Sequence, residues 1–266
     1  MRPTLRQRPA PNLTWLGHST VLVDLDGARL LTDPVLRNRV AHLRRRGRVD
    51  PAQYTKIDAV LVSHLHVDHL DLPSLERLGY GTQLIVPHGG GGLLRRRGFR
   101  RVTEVEVGDE VQIGALTVSP THAEHNGLRL PYFGTRALTL GYTITGSCKI
   151  YFAGDTELFD GMAEIGRGLD IALVPIWGWG PSAGSGHLDP RGAAEALRLL
   201  RPLLAVPIHW GTYAPLGFGR LQRALLADPV AEFRRHAAEL APEVEVHVMG
   251  LGGTLRLDAI TSGDPS

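Results

Sequence analysis

Six consecutive residues concentrate the ligand chemistry of this chain: His64-Leu65-His66-Val67-Asp68-His69, directly after the apolar run Ala59–Ser63. In an extended segment His64 and His66 share one side, because side chains alternate along a strand. A turn immediately after would bring Asp68 and His69 to the same space from another angle. Imidazole nitrogens and a carboxylate in this density suit one transition metal or a pair. The bland alternative is a polar loop that happens to hold three histidines, and four ligand-type side chains in six positions argue against it.

Other candidate ligands fall at one common kind of position. His18 follows the strand candidate Leu13–Leu16, Asp33 follows Ala28–Thr32, and His122 follows Leu116–Ser119. Asp155 follows Lys149–Ala153, and His209 follows Leu203–Pro207. Active sites of layered α/β proteins gather at strand ends, where loops carry side chains on a rigid base. Each residue alone would read as structural or exposed; the shared position makes them a set. Asp33 suits the fixing of a ligand histidine's tautomer, or simply closes its strand before Pro34.

The elements that must position these residues alternate along the chain. Further strand candidates are Thr20–Leu25, Ala59–Ser63, Leu84–Val86, Leu138–Ile144, Ile171–Pro175, Val244–Val248 and Thr254–Leu257. Helical patterns appear at Leu72–Leu78, after Gly89–Gly92, at Glu157–Ile165, at Pro190–Leu200, where Asp189-Pro190 is a start signal, and at Val230–Leu240. Strands in hairpin-like pairs in both halves, with helices between, predict two sheets with helices outside. A single domain over residues 1–266 is expected, with an ordered core over roughly 13–258 and frayed residues Thr261–Ser266.

Composition narrows the class. At 43% hydrophobic and 21% charged residues the 266-residue chain reads as an ordinary soluble globular protein. Two arginine groups, Arg44–Arg46 with Arg48 and Arg95–Arg97 with Arg100 and Arg101, are expected on solvated faces. A formal charge of only +2 disfavours nucleic acid as a partner. The lone Cys148 excludes an intramolecular disulfide and a cysteine zinc cluster. No apolar run approaches the ~20 residues of a membrane span, and the Arg- and Pro-rich start lacks a signal peptide's apolar stretch. A cytoplasmic location is expected; oligomeric state is not legible.

The His64–His69 signature is joined in order by His122, by Asp155 in Ala-Gly-Asp-Thr and by His209 in Pro-Ile-His-Trp-Gly-Thr. From Trp15 to Leu257 this pattern resembles the metallo-β-lactamase superfamily. The resemblance implies an α/β fold, a four-layer αββα sandwich with two mixed sheets and helices outside. It also implies a dinuclear site: one metal on His64, His66 and His122, a second on Asp68, His69 and His209, with Asp155 bridging. The implied cofactors are two divalent ions, zinc first, with manganese or iron as alternatives. Two such ions, roughly 3.5–4 Å apart, can share a hydroxide that stays nucleophilic at neutral pH.

Gly17–Leu22, Leu31–Pro34 and His209–Thr212 are similar to one branch of that superfamily. It holds the L-ascorbate-6-phosphate lactonases and the N-acylphosphatidylethanolamine-hydrolysing phospholipase D. His187, in His-Leu-Asp-Pro, matches a substrate-side histidine of the phospholipase, whereas the Trp177–Gly186 loop departs from its pattern. The implied enzyme is a hydrolase of a phosphodiester, phosphorylated lactone or similar small anionic ester. Asp68, Asp155 and His187 would be catalytic, with His18, His187, Trp177 and Trp179 against substrate. His125 is a candidate for lining the pocket, and His88 beside Gly89–Gly92 for meeting an anion. His42, His236 and His247 read as surface or structural residues. A nuclease of the same fold and an iron-dependent redox enzyme of the same fold are the alternatives.

Overall fold

Strands that bury one or both faces need a partner layer, and here two seven-stranded mixed sheets provide it for each other. The computed structural model describes residues 10–130, 134–177, 186–215 and 228–257. The first sheet contains β1 (Asn12–Gly17), β2 (Thr20–Leu25), β3 (Ala28–Thr32), β6 (Ala59–Leu61), β7 (Gln83–Pro87), β8 (Val102–Val105) and β17 (Thr254–Arg256). Its order is β17-β1-β2-β3-β6-β7-β8, antiparallel through β3 and parallel from β3 to β8. The second contains β9 (Val111–Ile113), β10 (Leu116–His122), β11 (Leu140–Thr145), β12 (Lys149–Phe152), β13 (Ile171–Pro175), β14 (Leu204–Ile208) and β16 (Glu245–Val246). Its order is β16-β14-β13-β12-β11-β10-β9, antiparallel from β9 to β12 and parallel beyond.

Alternation supplies the shared interior. Leu13 and Trp15 of β1 and Val21, Val23 and Leu25 of β2 meet Val118, Tyr142, Ile144, Phe152, Leu173 and Val206 of the second sheet in one buried cluster. Each such side chain contributes about 1.5–3 kcal/mol on burial. The outer face of the first sheet lies under α1 (Leu72–Leu78) and α2 (Gly91–Arg96). The outer face of the second lies under α3 (Met162–Ile165), α4 (Pro190–Leu200) and α5 (Pro229–Leu240). Helices α1, α4 and α5 each open on an aspartate, Asp71, Asp189 or Asp228, whose carboxylate accepts backbone N–H bonds of the first turn. The result is the expected four-layer αββα sandwich.

Two expectations change. The helix expected over Glu157–Ile165 forms only at Met162–Ile165. Glu157 is drawn off instead: its N–H donates to the Glu124 carbonyl at 2.9 Å, and its carboxylate accepts from the Gly186 N–H. A small third sheet also forms, from β4 (Arg39–Val40), β5 (Leu43–Arg45) and β15 (Tyr213–Pro215). It buries Arg45, which the sequence placed on a solvated face. The Arg45 guanidinium donates to the carbonyls of Val35 and Leu16 and lies 3.3 Å from the Tyr213 hydroxyl. The second arginine group is on the surface as expected, with Arg95 paired to Glu104 at 2.7 Å. Trp179 and Thr261–Ser266 lie outside the described residues. Among the described residues no helix is long and apolar enough to cross a membrane.

Candidate metal centre

The C-terminal ends of β1, β3, β6, β12, β13 and β14 converge on one edge of the sandwich, and the loops there turn sharply. His18, Asp33 and His209 have positive φ, at 54°, 31° and 60°, a conformation costing a non-glycine residue about 1–3 kcal/mol. Each is fixed by the fold: the His18 N–H donates to Thr212 Oγ1 at 2.6 Å, and the His209 N–H to the His18 carbonyl at 3.0 Å. The Asp33 N–H donates to the Leu61 carbonyl at 2.9 Å. Gly154 also has positive φ, 63°, and a Cβ there would sit 2.6 Å from Ser63 Cβ. Only glycine lets the loops after β6 and β12 touch, and that contact sets Asp155 opposite His69.

Asp155 is the hub. Its Oδ2 lies 3.0 Å from His69 Nε2, 3.2 Å from His187 Nε2 and 3.3 Å from His209 Nε2. On one side, His66 Nδ1 lies 2.9 Å from His64 Nε2 and 3.2 Å from His125 Nε2. On the other, His18 Nε2 lies 3.2 Å from Asp68 Oδ2, and ligand atoms of His18, Asp68, His69 and His209 fall within 4.8 Å of one another.

The surrounding acceptors dictate which nitrogens face inward. His69 Nδ1 lies 2.7 Å from Asp33 Oδ2, His125 Nδ1 2.5 Å from the Gly186 carbonyl, and His209 Nδ1 2.6 Å from the Trp177 carbonyl. Carboxylates and carbonyls only accept, so in each ring Nδ1 carries a hydrogen and Nε2 is the nitrogen that faces the centre. Ser63 Oγ donates to Asp33 Oδ2 at 2.5 Å, and so accepts from His64 Nδ1 at 2.9 Å. Asp33 therefore orients two imidazoles, one directly and one through Ser63. This is the bracing that metal-binding histidines require.

The donor set fits metal ions on two further grounds. Asp155 Oδ1 and His187 Nδ1 are buried without a hydrogen-bond partner among the described residues, which is costly in a neutral interior. The electrostatics agree. Burial, aided by neighbouring imidazoles, keeps His64 well below its ordinary pKa and takes His18 to about 3, so both are neutral as ligands must be. Burial, aided by His187 and His66 and opposed by Asp155, takes His125 down to about 4. Burial would also depress His69, but the Asp155 and Asp68 carboxylates override it and draw a proton there. Burial would raise Asp155, yet facing His209 and His69 hold it well below the carboxylate range. Demand for positive charge is therefore greatest between His69 and Asp155.

Of the expected ligands, His64, His66, Asp68, His69, Asp155 and His209 come together, and His122 does not. His122 ends β10 where the strand leaves the interior; its ring is 57% exposed, lies edge-on to Phe159 and is 3.1 Å from Glu124. The loop after it is pinned by the Glu124 N–H to Thr156 Oγ1 at 2.9 Å and by Thr139 Oγ1 to the Ala123 carbonyl at 2.9 Å. That loop returns His125, not His122, to His64 and His66. The only sequence signal was a second histidine three residues on, followed by the turn pair Asn126-Gly127. His18 and His187, expected against substrate, stand among the ligand atoms themselves. Trp177 contributes its backbone carbonyl to His209. The backbone of the turn at His88 is already engaged: the Gly89 and Gly91 N–H groups hold the Glu104 carboxylate, at 2.9 and 3.1 Å.

Comparison with known proteins agrees with this architecture. The family model described as the beta-lactamase superfamily domain matches residues 28–210. A UPF0173 metal-dependent hydrolase of Caldivirga maquilingensis is 32% identical over 250 residues, covering 92% of this chain and 97% of that one. The N-acyl-phosphatidylethanolamine-hydrolyzing phospholipase D 1 of Caenorhabditis elegans is 33% identical over 230 residues; the match covers 77% of this chain and 64% of the nematode protein. Among solved structures, a metallo hydrolase from Ignicoccus hospitalis superposes with a TM-score of 0.70 at 27% identity, covering 92% of this chain and 97% of that one. The chain belongs to the beta-lactamase superfamily and is a metal-dependent hydrolase of it.

Proposed function

We propose that the chain hydrolyses a phosphodiester or similar small anionic ester at a dinuclear centre. One observation carries the proposal: a single buried carboxylate, Asp155, stands between two sets of inward-facing donors. His64, His66 and His125 would hold one ion, Asp68, His69 and His209 the other, and Asp155 would serve both. Zinc is the first choice for this mixture of imidazole and carboxylate, with manganese and iron as alternatives. Two divalent ions there would polarise an ester oxygen and make water a nucleophile at neutral pH.

The chain's own groups do the rest. Asp33 keeps His69 and His64 in their binding tautomers, and the Trp177 and Gly186 carbonyls do so for His209 and His125. His18, at 3.2 Å, holds Asp68 in place. His187 is the more open histidine beside Asp155, its side chain 17% exposed. It is placed to contact the substrate and to protonate the leaving alkoxide. The nematode relative named as a phospholipase supports the phosphodiester class; its lipid substrate is not carried over, because this chain spans 64% of its length. The interior shared by both sheets supports reading one domain.

A substrate screen tests the proposal. Metal-loaded protein should turn over p-nitrophenyl phosphodiesters or a phosphorylated lactone, and chelation should abolish the activity. Turnover confined to neutral carboxylic esters, or indifferent to chelation, would contradict it.

A further inference from the structure

Beside the metal centre lies an open cleft of about 420 Å³, lined by His88, Gly89, His125, Arg136, Leu138 and Thr139 among others. His125 forms the shared wall: its ring centroid is 4.7 Å from that of His64 and 4.8 Å from that of His187. We propose that this cleft is a subsite for a second acidic group on the substrate, a carboxylate or phosphate a few bonds from the scissile ester, recognised by Arg136 and His88. This rests on the reading of the centre as an esterase of small anionic substrates, and it specifies what lies on the far side of the ester.

The cleft is built, not incidental. Its two walls are the turn after β7 and an arm whose described residues are 127–130 and 134–139, joined by the Leu138 N–H to the His88 carbonyl at 3.0 Å. Gly89 has φ of 97°, and a Cβ there would lie 2.7 Å from the Arg136 carbonyl. Backbone therefore packs on backbone where the Arg136 side chain emerges. The arm is anchored to the metal-binding loop by Arg129, whose guanidinium donates to the Leu65 and Leu70 carbonyls at 2.8 and 3.2 Å.

The charge left over in the cleft is positive. Glu104 is the nearby acid, but its carboxylate is consumed by the Gly89 and Gly91 N–H groups and by Arg95. The Thr139 hydroxyl donates to the Ala123 carbonyl. Arg136 and His88 are exposed, and among the described residues neither side chain meets a carboxylate. A guanidinium is suited to bidentate capture of a carboxylate or phosphate. A substrate whose ester lies at Asp155 would reach this guanidinium by passing His125.

The test uses two p-nitrophenyl phosphodiesters that share a leaving group; the second alcohol is ethyl in one and carries a terminal carboxylate in the other. For Arg136→Ala, KM for the carboxylated ester should rise roughly fivefold, as expected of an exposed Arg–carboxylate pair, with kcat nearly unchanged and the ethyl ester unaffected. Arg136→Glu should raise it further and Arg136→Lys should restore part of the loss. Analogues with a P–C bond in place of the scissile bond let binding be read by calorimetry even without turnover. Wild-type protein binding both analogues equally, or Arg136→Ala weakening both alike, would overturn the subsite. Preference for the carboxylated analogue without turnover of either ester would keep the subsite and refute the phosphodiesterase reading instead.

Discussion

The two sides of the metal centre are built differently. On the His18 side every imidazole is sealed: His18, His69 and His209 are 1%, 0% and 2% exposed, and two of them sit on left-handed backbone. On the other side His64 is buried, but His66 and His125 are only half-buried, and His125 lines the cleft. The sealed side is braced by a carboxylate and by backbone between β1, β14 and the third sheet. The open side relies on loops. On the proposed dinuclear reading, the contrast predicts that the sealed side would hold its ion more tightly and that the open side would meet the substrate.

The largest effect should come from removing what both sides share. Asp155→Asn keeps the shape but loses the charge, so turnover should fall roughly 100-fold or more, with weaker binding of at least one ion. Wild-type-like turnover with both ions retained would move the bridge elsewhere; a lower melting temperature of the metal-free protein without metal loss would make Asp155 structural. Next comes Asp33→Asn, which disturbs His69 directly and His64 through Ser63. Loss of such a supporting carboxylate weakens metal binding or activity roughly 10- to 100-fold, and metal titration should show the sealed side losing most. Ser63→Ala removes the brace on His64 and one hydrogen bond to Asp33 but leaves the direct Asp33–His69 contact, and should cost less; an equal or larger loss would break the asymmetry.

The smallest effect tests the ground beside the open side. Burial would raise the Glu104 pKa, but Arg95 and the Gly91 and Gly89 N–H groups hold it below the ordinary carboxylate value. A lowered folded-state pKa contributes stability above the unfolded pKa, which is lost as pH falls through the folded value. Glu104→Gln should therefore cost about 0.5 kcal/mol at neutral pH, in the range of partly exposed pairs, and progressively less in acid. Denaturant melts at pH 7 and below pH 4 check this; a pH-independent difference, or altered metal content, would contradict it.

The sequence carried the sandwich because its signals were local. Helix α4 announced itself by its start signal at Asp189-Pro190, and most strands by short apolar runs before a turn. His64–His69 was legible for the same reason. What escaped reading depends on distant partners. Arg45 looks like a surface arginine until Tyr213, 168 positions away, and the Leu16 carbonyl enclose it. His122 and His125 are the same residue type three positions apart, and only the point where β10 leaves the interior decides between them. The tautomer braces on His209 and His125 are backbone carbonyls of Trp177 and Gly186, which no residue-type pattern can signal.

That choice between two histidines tests the dinuclear reading most directly. Elemental analysis of reconstituted, dialysed protein should find about two metal ions per chain in the wild type, as a two-metal site requires. His122→Ala should keep the wild-type content, since its ring stands in solvent against Glu124. His125→Ala should lose the open-side ion and keep the sealed one. Loss of metal from His122→Ala with full content in His125→Ala, or a single ion in the wild type, would contradict the centre described.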